Sequence, residues 1–227
     1  MRNYFYDPDA MNIPWTESPF FLKLLDNKGH SDLERETLIN FHNKGYIILD
    51  LDLDNQIIDN LKNDIDKLIY SSKLKTNSSF FSYNESPRIV DAGKSNHRVV
   101  ELALNQKVLT ILRLLYRKEP IPFSTINFIR GTEQPLHSDT IHFGSIPKGY
   151  LSACWIALED TNKDNGALRV VEGSHKLKDI DYFDLNIKPA KNMKLVEGIY
   201  REYEQYVRKL VDVMGMREKI VSMKKGS

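Results

Sequence analysis

The apolar residues of this 227-residue chain change their period near Pro120, and that change limits what it can fold into. Before it, apolar side chains recur at three- and four-residue spacing: Leu33, Leu38 and Phe41; then Ile57, Ile58, Leu61, Ile65, Leu68 and Ile69; then Val108, Leu109, Ile111, Leu112 and Leu115. Residues at that spacing share one face of a helix, so each stretch is expected to be an amphipathic helix laid on a core. After Pro120 the apolar runs shorten or alternate, at Phe123 to Ile129, Tyr150 to Leu158 and Ala167 to Val171, with Gly, Pro, Asn and Asp between them. That is the texture of strands. Helical spacing returns from Val196 to Met214, with Ile199, Tyr203, Tyr206, Val207 and Leu210 on one side, and Lys219 to Met223 reads as a last strand. The expected fold class is mainly β with flanking helices, in one domain. An irregular arm over 1–30 leads into a mostly helical flank over 31–118 and a β-core over 119–227 with one inserted helix.

Local punctuation agrees with this division. The arm mixes aromatics with Pro8, Pro14 and Pro19 and ends at Asn27-Lys28-Gly29, so its rings are expected to wrap onto the domain. Ser31 with Glu34 three residues later predicts a capping box, and Gly45 a helix stop, before a strand at Tyr46 to Leu49. Asn77 to Pro87 is rich in Ser and reads as a polar loop.

Charge excludes some functions. Thirty-two Lys and Arg balance thirty-one Asp and Glu, which leaves no electrostatic footprint for phosphate backbones, so nucleic acid is not an expected partner. No run reaches the ~20 apolar residues of a membrane span, and Met1 to Trp15 places Asp7, Pro8 and Asp9 where a signal peptide needs apolar residues. The one cysteine, Cys154, has apolar neighbours and reads as a buried thiol in a reducing compartment, the cytoplasm by default. Oligomeric state is not legible.

The triplet His137-Ser138-Asp139 carries the most chemistry. On an extended segment, positions two apart point the same way, which sets an imidazole beside a carboxylate. Non-haem Fe(II) oxygenases use two His and one carboxylate on one face of the metal, leaving positions open for other ligands. The triplet supplies two of those three, although alone it also reads as a His capping a turn. Of the other histidines, His142 would face the opposite side of a straight strand and reads as a surface or satisfied His, or as one that lines the pocket mouth or binds substrate, while His30, His42 and His97 have no ligand spacing and are expected to be solvated. Arg169, between apolar strand residues, reads as one half of a structural ion pair in preference to a substrate contact.

Several blocks around the triplet occur together: Pro135-Leu136-His137-Ser138-Asp139, His142-Phe143, Trp155, Asn165-Gly166-Ala167-Leu168 and Gly173-Ser174-His175-Lys176, with Phe41-His42-Asn43-Lys44-Gly45-Tyr46 upstream. In order and spacing they resemble the phytanoyl-CoA dioxygenase family from about residue 37 onward. The resemblance implies a double-stranded β-helix, a jelly-roll barrel of the cupin kind, with helices outside one sheet. It implies an enzyme that uses Fe(II) as cofactor and 2-oxoglutarate as co-substrate, with dioxygen and a small-molecule substrate as partners. His137 and Asp139 then stand for two metal ligands and catalytic residues. Trp155 stands for a residue lining the co-substrate pocket, and Asn127, in Ile126-Asn127-Phe128, for a polar strand residue meeting 2-oxoglutarate. Trp155 reads equally as a core aromatic and Asn127 as an Asn bonded to nearby backbone. His175 resembles a turn residue of the family and not its distal ligand.

In the family, a further strand carries the distal His, followed about ten residues later by an Arg that neutralises the buried carboxylate of 2-oxoglutarate. This sequence reaches Met223-Lys224-Lys225-Gly226-Ser227 without them, and the expectation is a fragment of a longer reading frame whose β-core lacks its final strands. A non-catalytic jelly-roll binding module and another cupin-like metalloenzyme are the alternatives. Substrate contacts are expected from loops such as Asn77 to Pro87 and Gly144 to Gly149, which do not reveal the substrate.

Overall fold

In this computed structural model the described residues are 12–26, 29–70, 80–83, 86–128, 131, 134–186 and 193–227, with side chains described outside 80–87 and 193–197. The arm is more regular than its prolines suggest. A single-turn 3-10 helix at Trp15–Glu17 is followed by helix α1, Phe21–Asp26. Helix α2, Asp32–Lys44, starts as expected: Ser31 Oγ accepts from the Glu34 amide at 3.3 Å while Glu34 Oε2 accepts from the Ser31 amide at 2.8 Å. It stops at Gly45, whose φ of +82° is a left-handed conformation that glycine adopts without strain. A Cβ at Gly45 would also lie 2.4 Å from His175 Nδ1, so the stop leaves room for a ring arriving from far along the chain.

Three more helices complete the flank: α3 (Asn55–Tyr70), α4 (His97–Ala103) and α5 (Gln106–Tyr116). Helices α4 and α5 are capped by the side-chain oxygens of Asn96 and Asn105. Helix α4 is too short for its period to show in the sequence. One core forms where the arm meets α2 and α5, from Trp15, Phe21, Leu24, Leu25, Leu38, Phe41 and Leu115. Each such side chain, fully buried, contributes about 1.5–3 kcal/mol. A second cluster joins α3 to the sheet through Leu61, Ile65, Ile89, Ala92 and Val99.

The arm also corrects two expectations about histidines. His42, expected to be solvated, donates from Nδ1 to the Thr16 carbonyl at 2.6 Å and stacks on Phe21 at 4.3 Å. His30 stacks on Trp15 at 5.9 Å. Ligand spacing is silent about aromatic packing, and the arm's rings needed flat partners. His97 is exposed, as expected.

Two antiparallel sheets follow. Strands β1 (Phe80–Tyr83), β2 (Ser86–Val90) and β3 (Ile126–Phe128) form the first in that order, with Phe80 opposite Ile89, Asn127 opposite Ile89 and Arg88 opposite Phe128. Part of the expected loop at Asn77 to Pro87 is thus a hairpin, because the strand-forming Phe80, Phe81 and Tyr83 outweigh the serines between them. Residues 71–79 and 84–85 lie outside the described residues. The second sheet pairs β4 (Leu168–Val171) with β5 (Glu218–Val221).

From β5 the chain keeps running antiparallel to the segment before β4. Thr161 and Met223 exchange backbone hydrogen bonds at 2.8 and 3.2 Å, Gly226 donates to the Ala157 carbonyl at 2.8 Å, and Leu51 donates to the Gly226 carbonyl at 3.3 Å. The strands expected at Tyr46 to Leu49 and Tyr150 to Leu158 are not strands here, since outside these few bonds the described residues provide them no ladder. Cys154 accordingly lies exposed on the second of them, where its apolar neighbours had suggested burial.

Helix α6, Met193–Val213, matches the expected Val196 to Met214 and turns Tyr200, Tyr203, Glu204 and Val211 inward. No helix among the described residues is long and apolar enough to cross a membrane.

Candidate metal centre

Pro135 to Ser138 runs extended, and the chain then tightens into a 3-10 turn at Asp139–Ile141. Ser138 caps that turn: its Oγ accepts from the Thr140 amide at 3.4 Å and meets Thr140 Oγ1 at 2.8 Å. Thr140 Oγ1 donates in turn to Asp179 at 2.6 Å. The result for the triplet is convergence, with His137 Nε2 lying 3.4 Å from Asp139 Oδ1.

Two features fit this pair to a cation. His137 Nδ1 lies 2.8 Å from the Pro135 carbonyl, which can only accept, so Nδ1 carries a hydrogen; Nε2 donates to Asp139 when the ring is protonated and is the atom with a lone pair to give when it is neutral. A backbone carbonyl on the far nitrogen is how metal-binding imidazoles are held in one tautomer. The separation fits as well. Two ligands at right angles on an ion, each at about 2.1 Å, stand about 3 Å apart. His137 is half-buried and Asp139 exposed, so the pair opens toward solvent on one side.

The electrostatics are those of two groups holding one another. Burial of the His137 ring pulls its pKa down, but the hydrogen bond with Asp139, the Pro135 carbonyl and the charges of Asp139 and Glu204 together hold it above the ordinary histidine value. The same hydrogen bond holds Asp139 below the ordinary carboxylate range, against the partial desolvation of its carboxyl. His142, desolvated and facing the charge of His137, is held below its ordinary value.

The 3-10 turn changes where His142 goes. A straight strand would have sent it to the far side, but one turn of helix returns it alongside the pair, its ring 6.4 Å from that of His137 and 4.8 Å from that of Tyr200. Helix α6 covers this region. Tyr200 lies 6.2 Å from the His137 ring and its hydroxyl accepts from Gln134 Nε2 at 2.6 Å, while the Tyr203 hydroxyl accepts from the Ser138 amide at 3.2 Å. Gln134, Tyr200 and Glu204 escaped notice in the sequence. A signal for them existed, since Tyr200, Tyr203 and Glu204 put polar groups on the inward side of an amphipathic helix, where a buried carboxylate is unusual.

Other candidates fall elsewhere. Asn127 lies opposite the buried Ile89, and directly opposed residues share a sheet face, so Asn127 belongs to the face packed against α3 and α4. Its Oδ1 is buried without a hydrogen-bond partner among the described residues. Arg88 and Phe128 take the other face, and the charge of Arg88 reaches His142. Trp155 is half-buried. Among the described residues no hydrogen bond or ring contact joins Asn127 or Trp155 to His137 or Asp139. His175 packs on Phe41 at 6.2 Å and donates to the His42 carbonyl at 3.2 Å, tying its turn to the end of α2. Arg169 pairs with Glu218 at 3.9 Å, the structural reading. No three His, Cys, Asp or Glu side chains gather as a metal site among the described residues, so the pair is a partial donor set.

The sequence model described as phytanoyl-CoA dioxygenase (PhyH) matches residues 41–208, which take in α2 from Phe41, His137, Asp139 and most of α6. No curated protein and no solved structure matches this chain.

Proposed function

This chain belongs to the phytanoyl-CoA dioxygenase family, one of Fe(II)- and 2-oxoglutarate-dependent oxygenases, and we propose that it hydroxylates a small organic molecule with His137 and Asp139 as metal ligands. One observation carries the assignment of the pair: Nδ1 of His137 is locked to the Pro135 carbonyl while Nε2 is left 3.4 Å from Asp139 Oδ1. Fe(II) bound there with 2-oxoglutarate supplies the oxidising chemistry, in which dioxygen is consumed, 2-oxoglutarate becomes succinate and carbon dioxide, and a C–H bond of the substrate becomes C–OH.

The chain's own residues bind and orient. The Pro135 carbonyl fixes the imidazole, and the Ser138–Thr140–Asp179 hydrogen bonds fix the turn that aims the carboxylate. Tyr200 and His142 wall one side and keep water from it. Asn127 and Trp155 are proposed for the co-substrate pocket. The double-stranded β-helix is the fold that family membership implies, with the two short sheets as parts of it. An exposed lone thiol fits a reducing compartment, the cytoplasm.

The second reading is a non-catalytic module on the same fold, as His137 and Asp139 supply two of the three protein ligands such an oxygenase uses. Succinate formation separates the two readings. In the longer reading frame that supplies the distal His and the Arg, Fe(II), 2-oxoglutarate and dioxygen should yield succinate, and His137→Ala and Asp139→Ala should stop its release. Release at the parent rate by either variant would sink the ligand assignment. A parent that binds Fe(II) but never consumes 2-oxoglutarate would favour the module.

A further inference from the structure

Helix α6 reaches the ligand segment at two points, one on each side of His137. Tyr200 and Tyr203 are three residues apart, so their rings leave the same face of the helix one turn from each other, and they lie face to face at 6.2 Å and 26°. The Tyr200 hydroxyl takes the side chain of Gln134, three residues before His137. The Tyr203 hydroxyl takes the amide of Ser138, the peptide that lies between the two donor residues. Both tyrosines are buried, at 8% and 2% exposure, in a region where few side chains are.

We propose that Tyr200 and Tyr203 form a clamp through which helix α6 positions His137 and Asp139, so that occupation of the metal site and docking of this helix favour one another. The inference rests on the reading of the pair as ligands. It goes beyond that reading in making two phenol groups more than 60 residues away a determinant of metal affinity. Neither tyrosine is a ligand or a catalytic residue; each is a positioning residue acting through Gln134 or Ser138.

The physical reason is preorganisation. His137 Nε2 and Asp139 Oδ1 stand near the spacing that one ion requires, and two rotatable bonds of drift on either side would lose it. The Nδ1 bond to Pro135 fixes the ring against its own backbone only. The Tyr203 bond fixes the peptide from which both donor side chains diverge, and the Tyr200 bond restrains the approach to it. Removing partners that act through first ligands commonly lowers metal affinity about 10–100-fold. Linkage is reciprocal, so a metal that binds tighter with the helix docked must dock the helix tighter when it binds.

Mn(II), a stand-in for Fe(II) that is stable in air, is titrated into the 227-residue chain and free ion is followed by electron paramagnetic resonance, for the parent and Tyr203→Phe, Tyr200→Phe and Tyr182→Phe. Phe keeps the ring and its packing while removing the hydroxyl. Tyr203→Phe should weaken Mn(II) about tenfold or more, Tyr200→Phe should weaken it less, and Tyr182→Phe, whose ring only meets that of Tyr203 edge-on at 6.1 Å, should leave it unchanged. Amide hydrogen exchange gives a second measure in the parent alone, so the proposal stays testable if a variant fails to fold: saturating Mn(II) should slow exchange over 200–213. Unchanged affinity in Tyr203→Phe, or exchange over 200–213 indifferent to Mn(II), would overturn the clamp. His137→Ala makes the failures distinguishable. If it binds Mn(II) like the parent, the ligand reading has failed; if it loses Mn(II) while Tyr203→Phe does not, only the clamp has.

Discussion

The flank and the region around His137 and Asp139 are held together by different means. Between Pro14 and Leu25 alone, Pro14, Trp15, Thr16, Ser18, Phe21, Leu24 and Leu25 are buried, whereas from Gln134 to Asn186 only Ala157, Thr161 and Val171 are. The flank therefore rests on apolar area and helix caps, which are non-directional or local and tolerate small shifts. The region around His137 and Asp139 rests on hydrogen bonds that reach across the chain: Gln134 to Tyr200, Ser138 to Tyr203, Thr140 to Asp179, and the run of backbone bonds between 157–171 and 218–227. A site built this way gains direction and loses reserve, since few apolar contacts oppose its opening. Stability and metal binding should accordingly be separable by mutation.

The largest stability effect is expected from Phe21→Ala. The ring is 1% exposed, stacked on His42 and tilted against Trp15, and its loss should cost about 3–5 kcal/mol in chemical denaturation. Mn(II) affinity at low denaturant should not change. A parallel loss of affinity would mean that the two regions form one cooperative unit, and the contrast would break.

Gly45→Ala should come next, at about 2 kcal/mol for a side chain forced into the left-handed region, since its Cβ must also displace the His175 ring. This change sharpens the comparison because His175 ties the turn after β4 to the flank through the His42 carbonyl. A second change, His175→Ala with Gly45→Ala, should restore part of the loss. No recovery in thermal unfolding would show that the strain lies in the backbone alone.

A smaller effect should follow pH. Asp91, at the junction of β2 and α4, is held below the ordinary carboxylate range by its bond to Lys94, then by Ser124 and the Thr125 amide, against burial. A carboxylate with a depressed folded pKa contributes stability that is present above its unfolded pKa and lost as pH falls through the folded one. Denaturation midpoints measured from neutrality into acid should therefore fall less steeply for Asp91→Asn than for the parent. Equal slopes would remove Asp91 from the account of this junction.

Legibility divided along the same line as the packing. Ser31, Glu34 and Gly45 announced α2 to the residue because caps are local chemistry, and the stripe from Ile57 to Ile69 announced α3 because burial on one face imposes a period. The strands were legible where a partner exists, at β4 and β5, and misleading at Tyr150 to Leu158, since alternation reports a propensity and not a ladder. His137 and Asp139 were legible as a pair because their spacing suffices to bring them together. His142 was legible as a pocket-mouth residue but not as a neighbour of His137, because one 3-10 turn overrides strand alternation. Gln134 with Tyr200 was not, because two residues 66 apart meet only through the tertiary fold.

The central claim, that His137 and Asp139 hold the metal, is tested most directly by anaerobic calorimetry of Fe(II) binding to the parent, His137→Ala and Asp139→Ala near pH 6 and pH 8. Because His137 is held above its ordinary pKa, a proton competes with the ion at its Nε2 in the acid condition. The parent should bind one Fe(II) more tightly at pH 8 than at pH 6, and each variant should lose that event at both. Binding of one Fe(II) by either variant with the parent's affinity and pH dependence would contradict the claim.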